Sequence, residues 1–419
     1  MTISDSSDAS ENQVSLCCSR KKKKNQVSLA PIVTGDMESS SVDWEWLPKN
    51  ILDLVLDKLP HLIDYIYFGA ACKEWHSVAE DNRKRRHIIN ASHPRQLPLL
   101  LVPIKDKDER LIYNVTQDRV SNMRLRVPFN KRYYGSSYGW LIDMDETFTI
   151  ILLNPFSNKV IKLPPIIKGE ESTTLHEHFI LKAILTNDPD LYPNDFMVAI
   201  IYNGQRYLAV YQSSVRSWTY MDDHPNGMGY YDIIHHKGDF YAINGGLGVG
   251  RIDVASIEKC SRPQVSLVAP EAPSVLIQRV RRFNLVGTSE GKLLLVQGVY
   301  SRVYPDRVYG EWEDVPIFTS RFVIHKLEES KELVEIRDIG DNAMFLGDNN
   351  SFLLPIHGIP GLQRNCIYYT NNEYDPYFPT DTGIYNLTDG SIQPHHVPED
   401  TKELPPMLWI TPGLSRDLL

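Results

Sequence analysis

Apolar runs in this sequence, such as Phe148 to Leu153, are far shorter than the roughly 20 residues a bilayer-spanning helix needs. The polar start MTISDSSDAS has no apolar secretory segment, so neither a membrane nor an export route is expected. Cysteine is also scarce. Cys17, Cys18, Cys72, Cys260 and Cys366 contain no CxxC pair, which argues against a disulfide framework and against a zinc site and fits the cytosol or nucleus. There is no surplus of positive charge. With a net charge of −9 the chain gives no general reason to expect nucleic acid as a partner.

What is present is enough apolar material for a large core divided among domains: 42% hydrophobic residues in a chain of 419. Residues 1–42 lack the periodicity needed to fold and read as a disordered tail. That tail carries the basic run Arg20 to Lys24, a candidate nuclear import signal, and repeats NQVSL on either side of it without evident physical cause. Residues 47–65, LPKNILDLVLDKLPHLIDY, then change character. At a helical step of about 100°, Ile51, Leu52, Val55, Leu56 and Leu59 share one broad arc, with Asn50, Asp53, Asp57 and Lys58 opposite. Pro48 suits a first helical turn and Pro60 ends the run. A second apolar stripe follows at Phe68, Ala71, Cys72, Trp75, Val78 and Ala79. A helical unit this small rarely buries enough surface to stand alone, so its apolar surplus calls for a partner.

The string from Leu47 to Ala79 resembles an F-box, carried by Leu47-Pro48, Ile51-Leu52, Val55-Leu56, Leu59-Pro60, Asp64, Phe68, Cys72-Lys73, Trp75 and Ser77-Val78. Ala71 stands where a bulkier Val is usual. The resemblance implies an F-box over residues 43–84 that docks on a Skp-type adaptor and, through it, on the cullin of an SCF ubiquitin ligase. It implies Leu47, Pro48, Ile51, Leu52, Val55, Leu56, Leu59, Pro60, Phe68, Cys72 and Trp75 as the adaptor-binding residues. A basic linker is expected over 85–96.

From residue 97 to 415 the pattern is one of short runs rich in β-branched and aromatic residues, separated by Asn, Gly, Pro and Asp. WLIDMDETFTIILLNPFSNKVIKLP and DFYAINGGLGVGRIDV share a phrase in which strands end in Asp or Asn before a turn. Loose recurrence of hairpins points to a β-propeller of about six blades, with seven possible and a pair of β-sandwiches as the alternative. The fold class expected is therefore α+β and multidomain, a small helical unit followed by an all-β propeller. The segments GSSYGWLI, LLNPFSNKVIKLPP, YYDIIHHKGDFYAIN, DNAMFLGDNNSF, NCIYYTN and GIYNLTDGSI resemble the KIB-type propeller that follows the F-box in a large group of plant proteins. That resemblance implies a propeller that selects a protein target, by degradation or by masking. Tyr133, Tyr134, Trp312 and Tyr377 are candidate anchors on its loops.

Several motifs imitate catalytic sites. Gly135-Ser136-Ser137-Tyr138-Gly139 fits GxSxG, but a nucleophile elbow needs a helix after the serine and a strand-like segment follows here. The glycines of 244–250 would cradle a phosphate only if they opened a helix, and RIDV begins a strand. The pairs His176/His178, His235/His236 and His395/His396 lack metal-ligand spacing. The sequons at Asn90, Asn114 and Asn386 matter only in an exported chain. No cofactor, metal or catalytic constellation is assigned. A propeller enzyme and a ligase-independent binding module stand as alternatives to the adaptor reading.

Overall fold

The computed structural model describes residues 47–59, 62–89, 97–129, 131–166, 178–221, 228–259, 265–270, 280–302, 317–357, 359–371, 381–394 and 406–412. The expected tail, its basic run and Pro60 lie outside these residues.

Three helices come first: α1 Lys49–Lys58, α2 Leu62–Ala71 and α3 Lys73–Ile89. Pro48 stands just before α1, and its carbonyl accepts the amides of Ile51 (2.9 Å) and Leu52 (3.1 Å). Leu52, Leu56, Tyr65, Phe68, Val78 and Ala79 form a core shared by all three helices, with Leu47, Leu59 and Trp75 half-buried against it. Phe68 and Trp75 lie with ring centroids 4.5 Å apart, and the Tyr65 hydroxyl donates to the Ala79 carbonyl. The α1–α3 seam also holds Asn82, whose amide reaches Asp53 and Asp57 at 3.4 Å each. Helix α3 runs past residue 84 into the span expected to be linker, as the good helix formers Arg and Lys of RKRR allow.

The strands form six sheets. The first holds β1 Leu99–Pro103, β2 Glu109–Asn114 and β3 Arg119–Arg126; the second β4 Gly135–Ser137, β5 Trp140–Met144, β6 Thr149–Asn154 and β7 Lys159–Pro165. The third is β8 Ile180–Leu185, β9 Met197–Tyr202, β10 Tyr207–Gln212 and β11 Ser217–Met221. The fourth is β12 Tyr230–His236, β13 Asp239–Asn244, β14 Val249–Ile252 and β15 Ser266–Ala269, with helix α4 Val254–Lys259 between its last two strands. The fifth comprises β16 Val280–Gly287, β17 Leu293–Arg302, β18 Ile317–Leu327 and β19 Leu333–Ile336. The sixth has β20 Asn342–Leu346, β21 Ser351–Pro355, β22 Cys366–Asn371, β23 Asp381–Asn386 and β24 Ile392–Pro394. The last strand, β25 Leu408–Ile410, returns to pair with β1 and complete the first sheet. These are the blades of a six-bladed propeller, and joining the two ends of the domain in one sheet removes the exposed edges an open array would carry.

The outermost strands are less buried than those inside the blade, and the sequence follows this. MVAIIY of β9 is buried along its whole length, whereas KVIKLPP of β7 shows mostly half-buried and exposed positions. The repeated Asn at strand ends acts as a turn cap. The Asn154 side-chain oxygen accepts the amides of Phe156 and Ser157, and Asn244 does the same for Gly246 and Gly248.

The inner strands touch in ring order β25, β4, β8, β12, β16, β21. The Ala183 amide donates to the Tyr134 carbonyl at 2.9 Å, so the second and third blades approach backbone to backbone beside Gly135, where a Cβ would lie 1.9 Å from the Ala183 oxygen. Asn349 closes the ring: its amide donates to the Trp409 carbonyl (2.6 Å), and its oxygen accepts the Trp409 amide (3.2 Å). The sixth blade departs from the up-and-down order. Its β20–β21 hairpin turns inward, so the chain must cross back to reach β22, which pairs parallel with β20.

Charged groups tie the inner ends of the blades together. Lys182 on β8 pairs with Asp232 on β12 at 3.2 Å and donates to the Asp348 carbonyl, in the opposite blade, at 3.3 Å. Asp232 also accepts the amides of Ile233 (2.9 Å) and Leu285 (2.8 Å), the latter on β16. Arg282 on β16 pairs with the Asp348 carboxylate at 2.6 Å. Four blades thus meet at one ionic clasp, buried at Lys182 and Asp232 and half-buried at Arg282 and Asp348.

Candidate functional site: an uncovered strip on the first helix

Helix α1 carries apolar residues on two faces, and only one is used inside the helical unit. Leu52 and Leu56, one turn apart, are 2% and 0% exposed. On the neighbouring arc Ile51, Leu54 and Val55, at the i, i+3, i+4 spacing that makes them adjacent, are 40%, 59% and 40% exposed. Tyr67 of α2 is exposed as well.

The residues expected to bind an adaptor therefore divide by location. Ile51 and Val55 face solvent, and Pro48 is exposed ahead of them. Leu52, Leu56 and Phe68 are core residues, sealed by the helices themselves, and Leu47, Leu59 and Trp75 pack at the edge of that core. Cys72 acts locally, because its Sγ accepts the Trp75 amide at 3.5 Å and its carbonyl accepts the His76 amide, which caps the start of α3. Leu54 and Tyr67 add to the expected residues. The spacing of Leu54 from Ile51 is the signal available in the sequence, but Leu54 lies outside the broad arc of Ile51, Leu52, Val55, Leu56 and Leu59.

The catalytic look-alikes resolve into structural parts. Ser137 ends β4, Tyr138 (φ 55°) and Gly139 (φ 81°) turn the chain, and β5 follows at once, so GSSYG is a two-residue hairpin. The Ser137 hydroxyl accepts the Leu185 amide at 3.4 Å. Within the Asn244–Gly250 segment, residues 245–248 are the turn from β13 into β14. His235 and His236 of β12 pack against Phe240 and Tyr241, and burial pushes both imidazoles below their ordinary pKa. Among the described residues no group of three or more His, Cys, Asp or Glu is placed to hold a metal. Of the candidate anchors, Tyr133 and Tyr134 are buried, because Tyr134 fills the second and third blades' core and Tyr133 the first's; Trp312 and Tyr377 lie outside the described residues.

The chain thus carries a three-helix unit with a half-covered first helix, followed by a six-bladed propeller. The model of the KIB1-4 β-propeller family matches residues 112–386, and the chain belongs to that family. It is similar to the F-box protein SKIP23 of Arabidopsis thaliana, 25% identical over 88% of this chain and 96% of that protein. It is also similar to the F-box protein At2g17036 of Arabidopsis thaliana, 25% identical over 88% of this chain and 95% of that one. The chain is thus an F-box protein of the plant type with a KIB-type propeller.

Proposed function

We propose that this protein is the substrate-receptor subunit of an SCF-type ubiquitin ligase. The outward strip of α1 docks on a Skp-type adaptor and through it on a cullin, while the propeller recruits a protein target. The protein is non-catalytic in this role and acts in the cytosol or nucleus. Its contribution is to hold the target beside the ligase, which raises effective concentration without new chemistry.

The observation that supports this reading is the strip itself: Ile51, Leu54 and Val55 stay uncovered on a helix whose other apolar face is already satisfied. The test is capture of the full chain by recombinant Skp-type adaptor. Ile51→Asp with Val55→Asp places two charges in the contact and should abolish capture, since desolvating an unpaired charge costs several kcal/mol. Because both residues face solvent in the free protein, the helices should stay folded. Undiminished capture by that variant would overturn the assignment.

A further inference from the structure

Arg206, in the turn between β9 and β10, has an unusual setting for a surface cation. Its guanidinium carbon sits 3.7 Å from the centroid of the Tyr231 ring. That ring is held on its own account, edge-on to Phe283 at 5.5 Å and pressed by the backbone at Gly245, where a Cβ would come within 3.0 Å of it. Among the described residues no carboxylate lies within ion-pair distance of Arg206, and its buried Nη1 has no hydrogen-bond partner. A guanidinium with its face stacked and, among the described residues, no carboxylate partner is pre-organised for an oxyanion at the edge it leaves to solvent, because the entropy of fixing the long side chain is already lost.

The surroundings extend this into an arc along one end of the propeller. Backbone bonds join the pieces: the Asn203 amide to the Phe179 carbonyl (2.7 Å), Arg206 to Asn203 (2.8 Å), Tyr230 to Arg206 (3.1 Å) and Gly245 to Gly229 (3.2 Å). Beside Phe179 stands exposed His178, 3.3 Å from Arg132, whose guanidinium lies 5.4 Å from the Tyr134 ring. Among the described residues the nearby acids are accounted for; Asp222 and Asp223, which follow β11, lie outside them. Asp232, next to Tyr231, is engaged by Lys182 and two amides, and Asp145 is bound by Thr147 and Thr149 in the turn whose Phe148 packs on Phe179. Glu146 in that turn is exposed, at the end of the arc away from Arg206.

We propose that this arc, with Arg206 as its anchor, binds an acidic segment of the protein target, its carboxylates or phosphates meeting the solvent-facing edge of the guanidinium. The proposal rests on the propeller being the target-binding half. Fluorescence anisotropy of the full chain tests it with peptides of one Gly/Ser framework carrying glutamates, phosphoserines or lysines. One or both acidic peptides should bind and the lysine peptide should not. Arg206→Gln should weaken acidic binding about tenfold or more. Arg206→Lys should recover only part of it, because an ammonium keeps the charge and loses the fork. The proposal is overturned if neither acidic peptide binds the parent chain, or if Arg206→Gln binds as the parent does. Adaptor capture, scored on the same preparations, separates the two readings: retained capture without peptide binding sinks this one alone, and the reverse result sinks the ligase assignment and leaves this one standing.

Discussion

Replacing Lys182 by Met tests how the propeller ring is locked. The substitution keeps the length of the side chain and deletes its charge. Lys182 and Asp232 have side chains 6% and 2% exposed, so neither can draw on water once the other is gone. In the variant Asp232 keeps the Ile233 and Leu285 amides but loses its cation, and the Asp348 carbonyl loses its link to the third blade. Breaking a buried pair by removing one partner costs about 3–5 kcal/mol, a large part of the roughly 5–15 kcal/mol that holds a domain together. For a domain of this size that is a fall in Tm on the order of 10 °C. Thermal unfolding followed by the fluorescence of the fully buried Trp140 and Trp409 would report it, Trp409 lying in the closing strand. Two controls sharpen the test. Arg364→Met breaks an ion pair with Asp341 whose side chains are both largely exposed, and should change stability by less than about 1 kcal/mol. The Ile233 and Leu285 amides bond different oxygens of Asp232, so adding Asp232→Asn to Lys182→Met removes the stranded charge but keeps an acceptor for one amide alone, and should restore only part of the loss. A Lys182→Met protein as stable as the parent would refute the idea that the clasp locks the ring.

Two further predictions concern the buried residues. Leu56→Ala, at a fully sealed position, should cost about 2–5 kcal/mol and loosen the small helical unit, seen as faster hydrogen exchange across all three helices; Ile51→Asp with Val55→Asp should leave exchange unchanged. His325, buried on β18, has its pKa pushed below 6.5 by burial, against a smaller opposing pull from Glu335. The unfolded chain therefore takes up a proton on His325 before the native one does. The stability this histidine contributes is present above 6.5 and lost as pH falls below it, at most about 1.4 kcal/mol per pH unit. His325→Gln should flatten the acid side of the stability curve, and an unchanged slope would refute the assignment.

Much of the propeller is legible in the sequence because its rules are local. The apolar runs TIILLN and MVAIIY, rich in β-branched residues, mark β6 and β9 as strands, and Asn154 and Asn244 announce turns through their own side-chain bonds. What is not legible is non-local. DNAMFLGDNNSF shows a hairpin, but nothing in it says that β21 takes the innermost position and forces the parallel β20–β22 pairing. Tyr133 and Tyr134 sit in a loop-like stretch between strands, yet packing within and between blades buries them. Arg206 reads as one more turn residue in NGQRY, since its partner Tyr231 comes from the next blade.

The first helix shows where periodicity stops short of function. A helical step of about 100° spreads Leu54, Ile51, Val55, Leu59, Leu52 and Leu56 over about 200° of its circumference, wider than the core-facing stripe of an ordinary surface helix. An arc that wide cannot all face α2 and α3, so part of it must face outward; only the packing decides which part, and Leu52 and Leu56 took the inner place. The outward remainder is real but small. Full burial of such a side chain is worth about 1.5–3 kcal/mol, and Ile51, Leu54 and Val55 already hide about half their surface, so covering them yields about 1 kcal/mol each. A few kcal/mol does not hold two proteins together against the cost of association. A stable complex needs roughly 1,000 Å² or more of joint contact. An adaptor docking as proposed must therefore reach beyond the three-residue strip, and exposed Pro48 at the head of α1 and Tyr67 on α2 are among the described surfaces of the helical unit through which it can do so.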